Sequence, residues 1–425
     1  MTQLHDRPAL PADSAPTSQR SLPAWPILIL FHGFPVIWAM GALQFVPFAL
    51  AVIMAALMVL RGRMTVPLPA WFLAALVVWA LACATQLPDA GALVGFALRW
   101  GNLLAALIIL LYVVNARDRL GHHAILAGLM TVWATVVLMG TLALFIPEVR
   151  LTTPVGMILP GSLTSNELVK DLVFPPMAEV QLPWGAPEPY IRPSAPFPYA
   201  NSWGVAYVML TPVALATLLT VRTWWVKLLI CAGLVLSLVP AVGTSNRGMF
   251  LGLGLALGYA VFRLTLSGYW KVGLAGLLAL TAAVMWLILG GVAEQILGRQ
   301  EYSDSTGGRL NLYQQTWEAS LESPLLGHGA PRLEESVGVY MGTQGYLWFF
   351  LFSYGLVGLL LFIGFLWGST WWTRGVKSPA SILLHSVPLA ASAIFVVYSF
   401  DIMQTCILVA VLGLLMRERI AKARS

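Results

Sequence analysis

Apolar residues fill this chain in long, nearly uninterrupted blocks, and polar residues are largely confined to the gaps between them. A run of about 18 or more such residues points to a helix in hydrocarbon, because a helix closes its backbone hydrogen bonds within itself. The blocks at 25–40, 43–60, 68–86, 91–114, 122–146, 200–220, 224–242, 247–264, 271–290, 344–366, 381–399 and 401–416 predict an all-α, polytopic transmembrane helical bundle of about 12 spans. The first two form a tight pair around Gly41, and the last two adjoin almost without a loop. Residues 1–24 are polar and carry both charge signs, without the basic-then-apolar layout of a cleaved leader. They predict a disordered cytoplasmic tail, and 25–425 a single transmembrane domain.

Two polar gaps are long, 147–199 and 291–343. Ordered loops of this size usually carry function. The first holds eleven prolines and is therefore stiff and extended, and it presents Trp184, Tyr190, Phe197, Tyr199 and the adjoining Trp203 as faces for stacking on sugars. An interfacial aromatic belt is the alternative. In the second loop, Ser305 or Thr306 can cap a helix starting near Gly308, in which Leu310, Tyr313, Trp317 and Leu321 share one face. That pattern predicts a short amphipathic helix lying on the bilayer surface or roofing a cavity, ended by Pro324.

Composition agrees: 59% of residues are hydrophobic and 10% charged, against about 25% charged in soluble domains. The net charge of +6 does not signal nucleic acid, because the basic residues sit mostly in short gaps between apolar blocks. With the N-terminus inside, 16 Lys and Arg fall in inner segments, seven in outer segments and Arg99 within a span. The positive-inside rule thus orients a multi-pass protein with both termini cytoplasmic and both long loops extracytoplasmic. Cys83, Cys231 and Cys406 lie inside apolar blocks and imply no disulfide framework.

Outer arginines are exceptions to that rule and mark candidate chemistry. Arg247 lies in GTSNRGMFLGL, where Ser245 or Asn246 can cap a helix whose free N–H groups favour an anion. A guanidinium there suits a diphosphate, or else snorkels to headgroups. Arg99, in GFALRWGNLL, lies a third of the way into its span, where a charge costs at least about 2.5 kcal/mol and faces a cavity or an internal partner such as Asp401. Arg192 and Arg309, one in each long loop, complete a set of four that together would hold a diphosphate without metal. Base candidates for activating an acceptor hydroxyl are His328, Glu318, Glu322, Asp304 and Glu301, all in the second loop. His32 and His385 lie within spans and are read as structural.

Four segments now resemble the O-antigen ligase and polymerase (Wzy-C-like) family. RPSAPFPYANSWGVAYVMLTPVAL resembles its Arg-x-x-Gly-x-Phe-x-x-Pro-Asn segment, with Arg192, Phe197, Asn201 and Gly204 in place. GTSNRGMFLGLGLAL resembles its Ser-Arg-Gly signature, with Asn246 replacing Ser and Arg247 and Gly248 retained. GGRLNLYQQTWEASLESPLLGHGAPR is similar to its Gly-Arg, Trp, Pro-Leu-Leu-Gly-x-Gly loop, and GTQGYLWFFLFSYGLVGLLLF to the span that follows. Together they cover residues 190–365. Two departures stand out: Ala200 replaces Pro, and Thr343 or Gln344 stands where the family has a His.

The resemblance implies a metal-independent, inverting glycosyltransferase with no cofactor, moving a glycan from a polyprenyl-diphosphate carrier to another glycan (polymerase) or a lipid-anchored core sugar (ligase). Arg192, Arg247, Arg309 and Arg99 become donor-diphosphate candidates; Trp184, Tyr199, Asn201 and Gln344 become acceptor or sugar candidates; His328, Glu318 and Asp304 lead the catalytic ones. Loss of the family His favours polymerase. The expected location is the bacterial cytoplasmic membrane, with the active site extracytoplasmic and membrane lipids, not nucleic acid, as surroundings. A flippase or transporter is the competing class, and the absence of an evident repeat between the halves speaks against it. A metal-dependent glycosyltransferase with an acidic first outer loop is a further alternative, and the segment around Gly41 holds no Asp or Glu.

Overall fold

The computed structural model describes residues 21–164, 167–182, 188–291, 305–334 and 339–423. All twelve apolar blocks are helical. In chain order the elements are α1 (Trp25–His32), α2 (Phe34–Ala39), α3 (Val46–Arg61), α4 (Ala70–Cys83), α5 (Ala92–Asn115), α6 (His122–Ala143), then short α7 (Pro154–Ile158), α8 (Gly161–Thr164) and α9 (Glu167–Val173). Strands β1 (Ala178–Gln181) and β2 (Tyr190–Pro193) precede α10 (Ala200–Thr220), α11 (Trp224–Gly243), α12 (Arg247–Leu266) and α13 (Trp270–Leu289). Helix α14 (Ser305–Ser320), strands β3 (Leu333–Glu334) and β4 (Val339–Tyr340), and helices α15 (Tyr346–Thr373), α16 (Pro379–Ile394) and α17 (Ile402–Lys422) follow. Among the described residues, seven helices are long and apolar enough to cross a membrane. The protein is an integral membrane helical bundle.

The first block is not one helix. It breaks between α1 and α2, because Pro35 lacks an N–H and its ring crowds the carbonyl four residues back. Helix α10 is the hub, buried over most of its length and packed against α6, α11, α12, α16 and α17. At the other extreme α13 packs chiefly on α12 and leaves its apolar surface exposed, as a lipid-facing helix does.

Basic residues at one end of the bundle also terminate helices. Arg61 Nη1 donates to the Asn115 carbonyl at 2.7 Å, Arg417 Nε to Val113 at 2.5 Å, and Arg263 Nη2 to Arg374 at 2.9 Å. Carbonyls at or just beyond helix C-termini lack intrahelical partners, and a cation there answers both the hydrogen bond and the dipole.

Helix α15 is broken inside. Gly355 adopts φ 66° and ψ −172°, a region open essentially to glycine alone. The break frees backbone groups that the segment 324–329 takes up: His328 N and Gly329 N donate to Phe352 and Ser353 carbonyls at 2.8 and 2.9 Å, and Leu356 N donates to Pro324 at 2.8 Å. Broken backbone in a membrane protein persists only where protein satisfies it in this way. A Cβ at Gly355 would strike the Leu325 carbonyl. Gly355→Ala is therefore expected to cost at least about 3 kcal/mol, read as a lower unfolding temperature and folded yield in detergent. Gly368→Ala, where a Cβ meets open space, should be neutral.

The amphipathic helix α14 turns most of its apolar row outward, the first of the two placements its pattern allows. Leu312, Thr316 and Ser320 are buried, whereas Leu310, Trp317 and Leu321 are exposed. The small hydroxyl row permits close approach to the bundle, and the apolar row is left for the bilayer surface. Of the predicted row only Tyr313 turns inward, stacked on Trp348 of α15 with centroids 4.5 Å apart. The helix begins at Ser305, ahead of the predicted start near Gly308.

Candidate functional site

The N-termini of α10, α12, α15 and α17 meet at the end of the bundle opposite those capping arginines. Gln404 Nε2 donates to the Ser202 carbonyl at 2.8 Å, tying α17 to α10, and Tyr346 N donates to Tyr398 O at 3.1 Å, tying α15 to the turn before α17.

A continuous polar chain crosses this end. The β1–β2 pair is antiparallel and sets Glu179 directly opposite Arg192, so their side chains meet as a cross-strand pair. Arg192 Nη1 donates to Glu179 Oε2 at 2.7 Å, Nε to Thr244 O at 2.9 Å and Nη2 to Asn201 Oδ1 at 3.1 Å. Asn201 Oδ1 also accepts from Asn246 Nδ2 at 3.3 Å. Asn246 caps α12, its Oδ1 accepting from Met249 N at 3.0 Å and also from the Tyr398 hydroxyl. Above the Tyr398 ring stands Arg309, its guanidinium carbon 5.9 Å from the centroid, a cation–π placement. Two motif glycines make room for this chain: a Cβ at Gly204 would come within 2.6 Å of Asn246 Nδ2, and one at Gly248 would collide with the Tyr398 hydroxyl. Ser245, just before the cap, sits at φ 48°, a left-handed conformation that non-glycine residues adopt at a cost of about 1 kcal/mol.

These contacts sort the four arginines. Arg192 is 6% exposed and engaged through all three nitrogens, with its charge matched by Glu179. It fastens β2 to α10 and α12 and presents no free face, so its place is that of a support. Arg247 opens α12 half-buried and already has an interaction partner. Arg309 and Arg99 have no carboxylate within ion-pair distance among the described residues. Arg99 has no hydrogen-bond acceptor there either; its charge is felt by Tyr340, Tyr346 and Tyr354. The pairing of Arg99 with Asp401 expected as an alternative is not formed, because Asp401 caps α17 together with Gln404.

A cavity of about 370 Å³ lies beside this region, lined by Gln315, Glu318, Glu322, His328, Arg332 and Phe352. His328 is 6% exposed, and its Nε2 meets the Ala319 carbonyl at 2.9 Å. A carbonyl can only accept, so the proton sits on Nε2 and Nδ1 is the basic nitrogen. Gln315 Oε1, Arg332 Nε, Ser353 Oγ and the Tyr354 hydroxyl are buried without a protein partner, an unusual concentration for a native interior. Arg99 belongs to this side, since Tyr340 and Tyr354 neighbour the cavity residues Met341 and Phe352.

Tyr199 is partly exposed at the start of α10. Burial first, then the Asp171, Asp401 and Glu179 carboxylates and a hydrogen bond to Asp171, push its phenol above the usual range. It stays protonated and able to donate. Phe197 and Trp203 are buried core residues and do not form the stacking faces expected of them; Trp203 Nε1 donates to Val136 O at 2.9 Å. Gln344 is partly buried near Tyr313, whose hydroxyl reaches its carbonyl at 3.4 Å. His385 bonds Tyr259 and the Thr370 carbonyl within the helices, away from this end. Trp184, Glu301 and Asp304 lie outside the described residues. Among the described residues, no three His, Cys, Asp or Glu side chains gather as a metal site would require. Sequence reasoning missed Glu179 and Tyr398. Nothing in the chain flags either, one of five acids in a proline-rich loop and a tyrosine in an apolar block.

Comparison with known families matches residues 232–363 to the model described as O-antigen ligase. The match includes the second, third and fourth resembling segments, with Arg247, Arg309 and His328; the first segment precedes it. No curated protein matches the chain. Over residues 232–363, about a third of its length, this integral membrane protein is similar to the O-antigen ligase family, and that likeness supports a glycosyltransferase-like, glycan-processing role at the membrane.

Proposed function

We propose that this protein transfers a glycan from a polyprenyl-diphosphate carrier to a sugar acceptor at the extracytoplasmic face of the bacterial cytoplasmic membrane, as a polysaccharide polymerase. The observation that carries this reading is the meeting of segments 192–204, 244–248, 309–332 and 343–354, distant in sequence, around cations and unsatisfied polar atoms at one end of the bundle.

Arg247 and Arg309 on one side and Arg99 on the other bind the diphosphate oxygens, while Arg192 holds the strands and Asn201 in place. As the bond from sugar C1 to the diphosphate oxygen breaks, negative charge grows on the leaving group, and fixed guanidinium groups stabilise it. The acceptor hydroxyl attacks C1 from the opposite face and gives its proton to a base, which inverts the anomeric centre. Glu318 and His328 Nδ1 are the candidates in the 370 Å³ cavity, which suits a sugar in size. Nine residues separate Arg309 from Glu318 on α14, about 14 Å at helical rise. The acceptor therefore lies toward Arg99, and the donor bridges Arg99 and Arg309. No step in this scheme calls for a metal.

Transfer to a lipid-anchored core sugar is the second reading. The matched family's description favours it, whereas Thr343 and Gln344, neither of which can serve as a base, stand where the family His would be.

Purified protein in proteoliposomes with polyprenyl-diphosphate-linked glycan is the test. The expected result is release of polyprenyl diphosphate in step with glycan lengthening, unchanged by chelator. Translocation of the lipid-linked glycan with no turnover of the sugar bond would replace the enzyme by a flippase.

A further inference from the structure

At the end of the bundle opposite the candidate site, the C-terminal ends of α3, α5 and α17 enclose a small opening lined by Arg61, Thr65, Asn115, Arg117 and Arg417. Its volume is about 30 Å³, about twice the least that holds one water, so it admits one or two oxygen atoms with the rest of a ligand at its mouth. Asn115 is fully used: its Oδ1 accepts from Thr65 N at 2.8 Å, and its Nδ2 donates to Thr65 O and Leu111 O at 2.9 and 2.8 Å.

The arginines are not. Arg61 Nη1 donates to the Asn115 carbonyl, and Arg417 Nε and Nη1 donate to the Val113 and Leu120 carbonyls, yet Arg61 Nε and Arg417 Nη2 are buried with no acceptor. Arg117 is half-exposed at the rim, and its charge opposes that of Arg417. Asp118, itself 56% exposed, lies 3.9 Å from both Arg61 and Arg117, too far for a hydrogen bond to either. Three guanidinium groups thus face one loosely placed carboxylate. Buried charged donors without acceptors are rare in native proteins, and their shortage here is of oxygen acceptors carrying negative charge.

We infer that this opening is a binding site for the phosphate oxygens of an anionic ligand, Arg61 and Arg417 supplying the buried donors and Arg117 closing over the rim. The chemistry is that of a phosphate ester or phosphate ion, and the source most at hand is the headgroup of an anionic phospholipid, because basic openings between helix ends at a membrane boundary take such headgroups. The inference does not depend on the glycan-transfer reading.

Native mass spectrometry of the full chain with phosphatidylglycerol or phosphatidylcholine, and calorimetry with inorganic phosphate, test it. Wild-type protein should retain phosphatidylglycerol over phosphatidylcholine, and Arg117→Gln and Arg417→Lys should each weaken that retention about fivefold. Arg222→Gln, at an exposed basic residue of the same end, should leave it unchanged. Saturable phosphate binding lost in Arg117→Gln, without preference between the lipids, would assign the site to a free anion. Equal retention of both lipids with no phosphate binding would overturn the inference, and so would an equal loss in Arg222→Gln and Arg117→Gln, which would reduce the effect to general surface charge. Should Arg417→Lys fail to fold, Arg117→Gln decides, since that side chain caps no helix.

Discussion

Replacing Arg247 by alanine is expected to lower glycan transfer by about 100- to 1000-fold, the cost of removing one fixed group from a developing charge, while folded yield stays at the wild-type level. Arg247 has a partner within the protein, but the helix start is fixed by other groups. The start of α12 is held by the Asn246 cap and its contacts with Asn201 and Tyr398, none of which uses the Arg247 side chain. Arg309→Ala should act similarly, since that guanidinium rests on Tyr398 without a carboxylate partner among the described residues. Lysine at position 247 should restore only part of the rate, because an ammonium offers a point charge where a guanidinium offers paired donors. Single-turnover release of polyprenyl diphosphate separates this loss from acceptor binding. Unchanged glycan length and yield in Arg247→Ala would remove the proposed donor site.

Glu179→Gln should have the largest effect on stability. Arg192 and Glu179 are 8% and 18% exposed at their side chains, and removing one partner of a buried pair leaves an uncompensated charge, at a cost of about 3–5 kcal/mol. The same carboxylate accepts from Ala200 N at 2.8 Å, so it also serves the first turn of α10, which its own N-cap residue, Tyr199, leaves without a side-chain bond. The expected readout is a lower unfolding temperature with loss of transfer. In the double variant Glu179→Gln, Arg192→Gln, much of the stability should return, because neither charge is then stranded. An unfolding temperature unmoved by Glu179→Gln would show that the pair does not hold the β1–β2 hairpin to the bundle.

The helices were legible because burial in lipid imposes a one-dimensional rule on composition. Even so, the sequence pattern missed two breaks. Pro35 interrupts the first block by ordinary backbone chemistry and was there to be read. The break at Gly355 was not, since glycine is common in apolar helices and only the docking of segment 324–329 shows that its neighbours' hydrogen bonds go elsewhere. Periodicity gave α14 its apolar row but left open whether that row meets the bilayer surface or roofs a cavity, and only the docked helix shows Leu310, Trp317 and Leu321 turned outward.

Read alone, the chain determined that this is a multispan helical protein, marked the arginines that break the positive-inside pattern, and set the order of motifs that resembles the O-antigen ligase family. Those features follow from local composition, which a linear string carries in full. The tertiary structure alone decided that Arg192 is matched by Glu179 while Arg99 and Arg309 stand without a carboxylate among the described residues, that Asn246 and Tyr398 join the motifs into one chain, and that unsatisfied donors gather at both ends of the bundle. Whether a charge is spent or available depends on what stands opposite it across strands and helices, and spacing along the chain does not encode that.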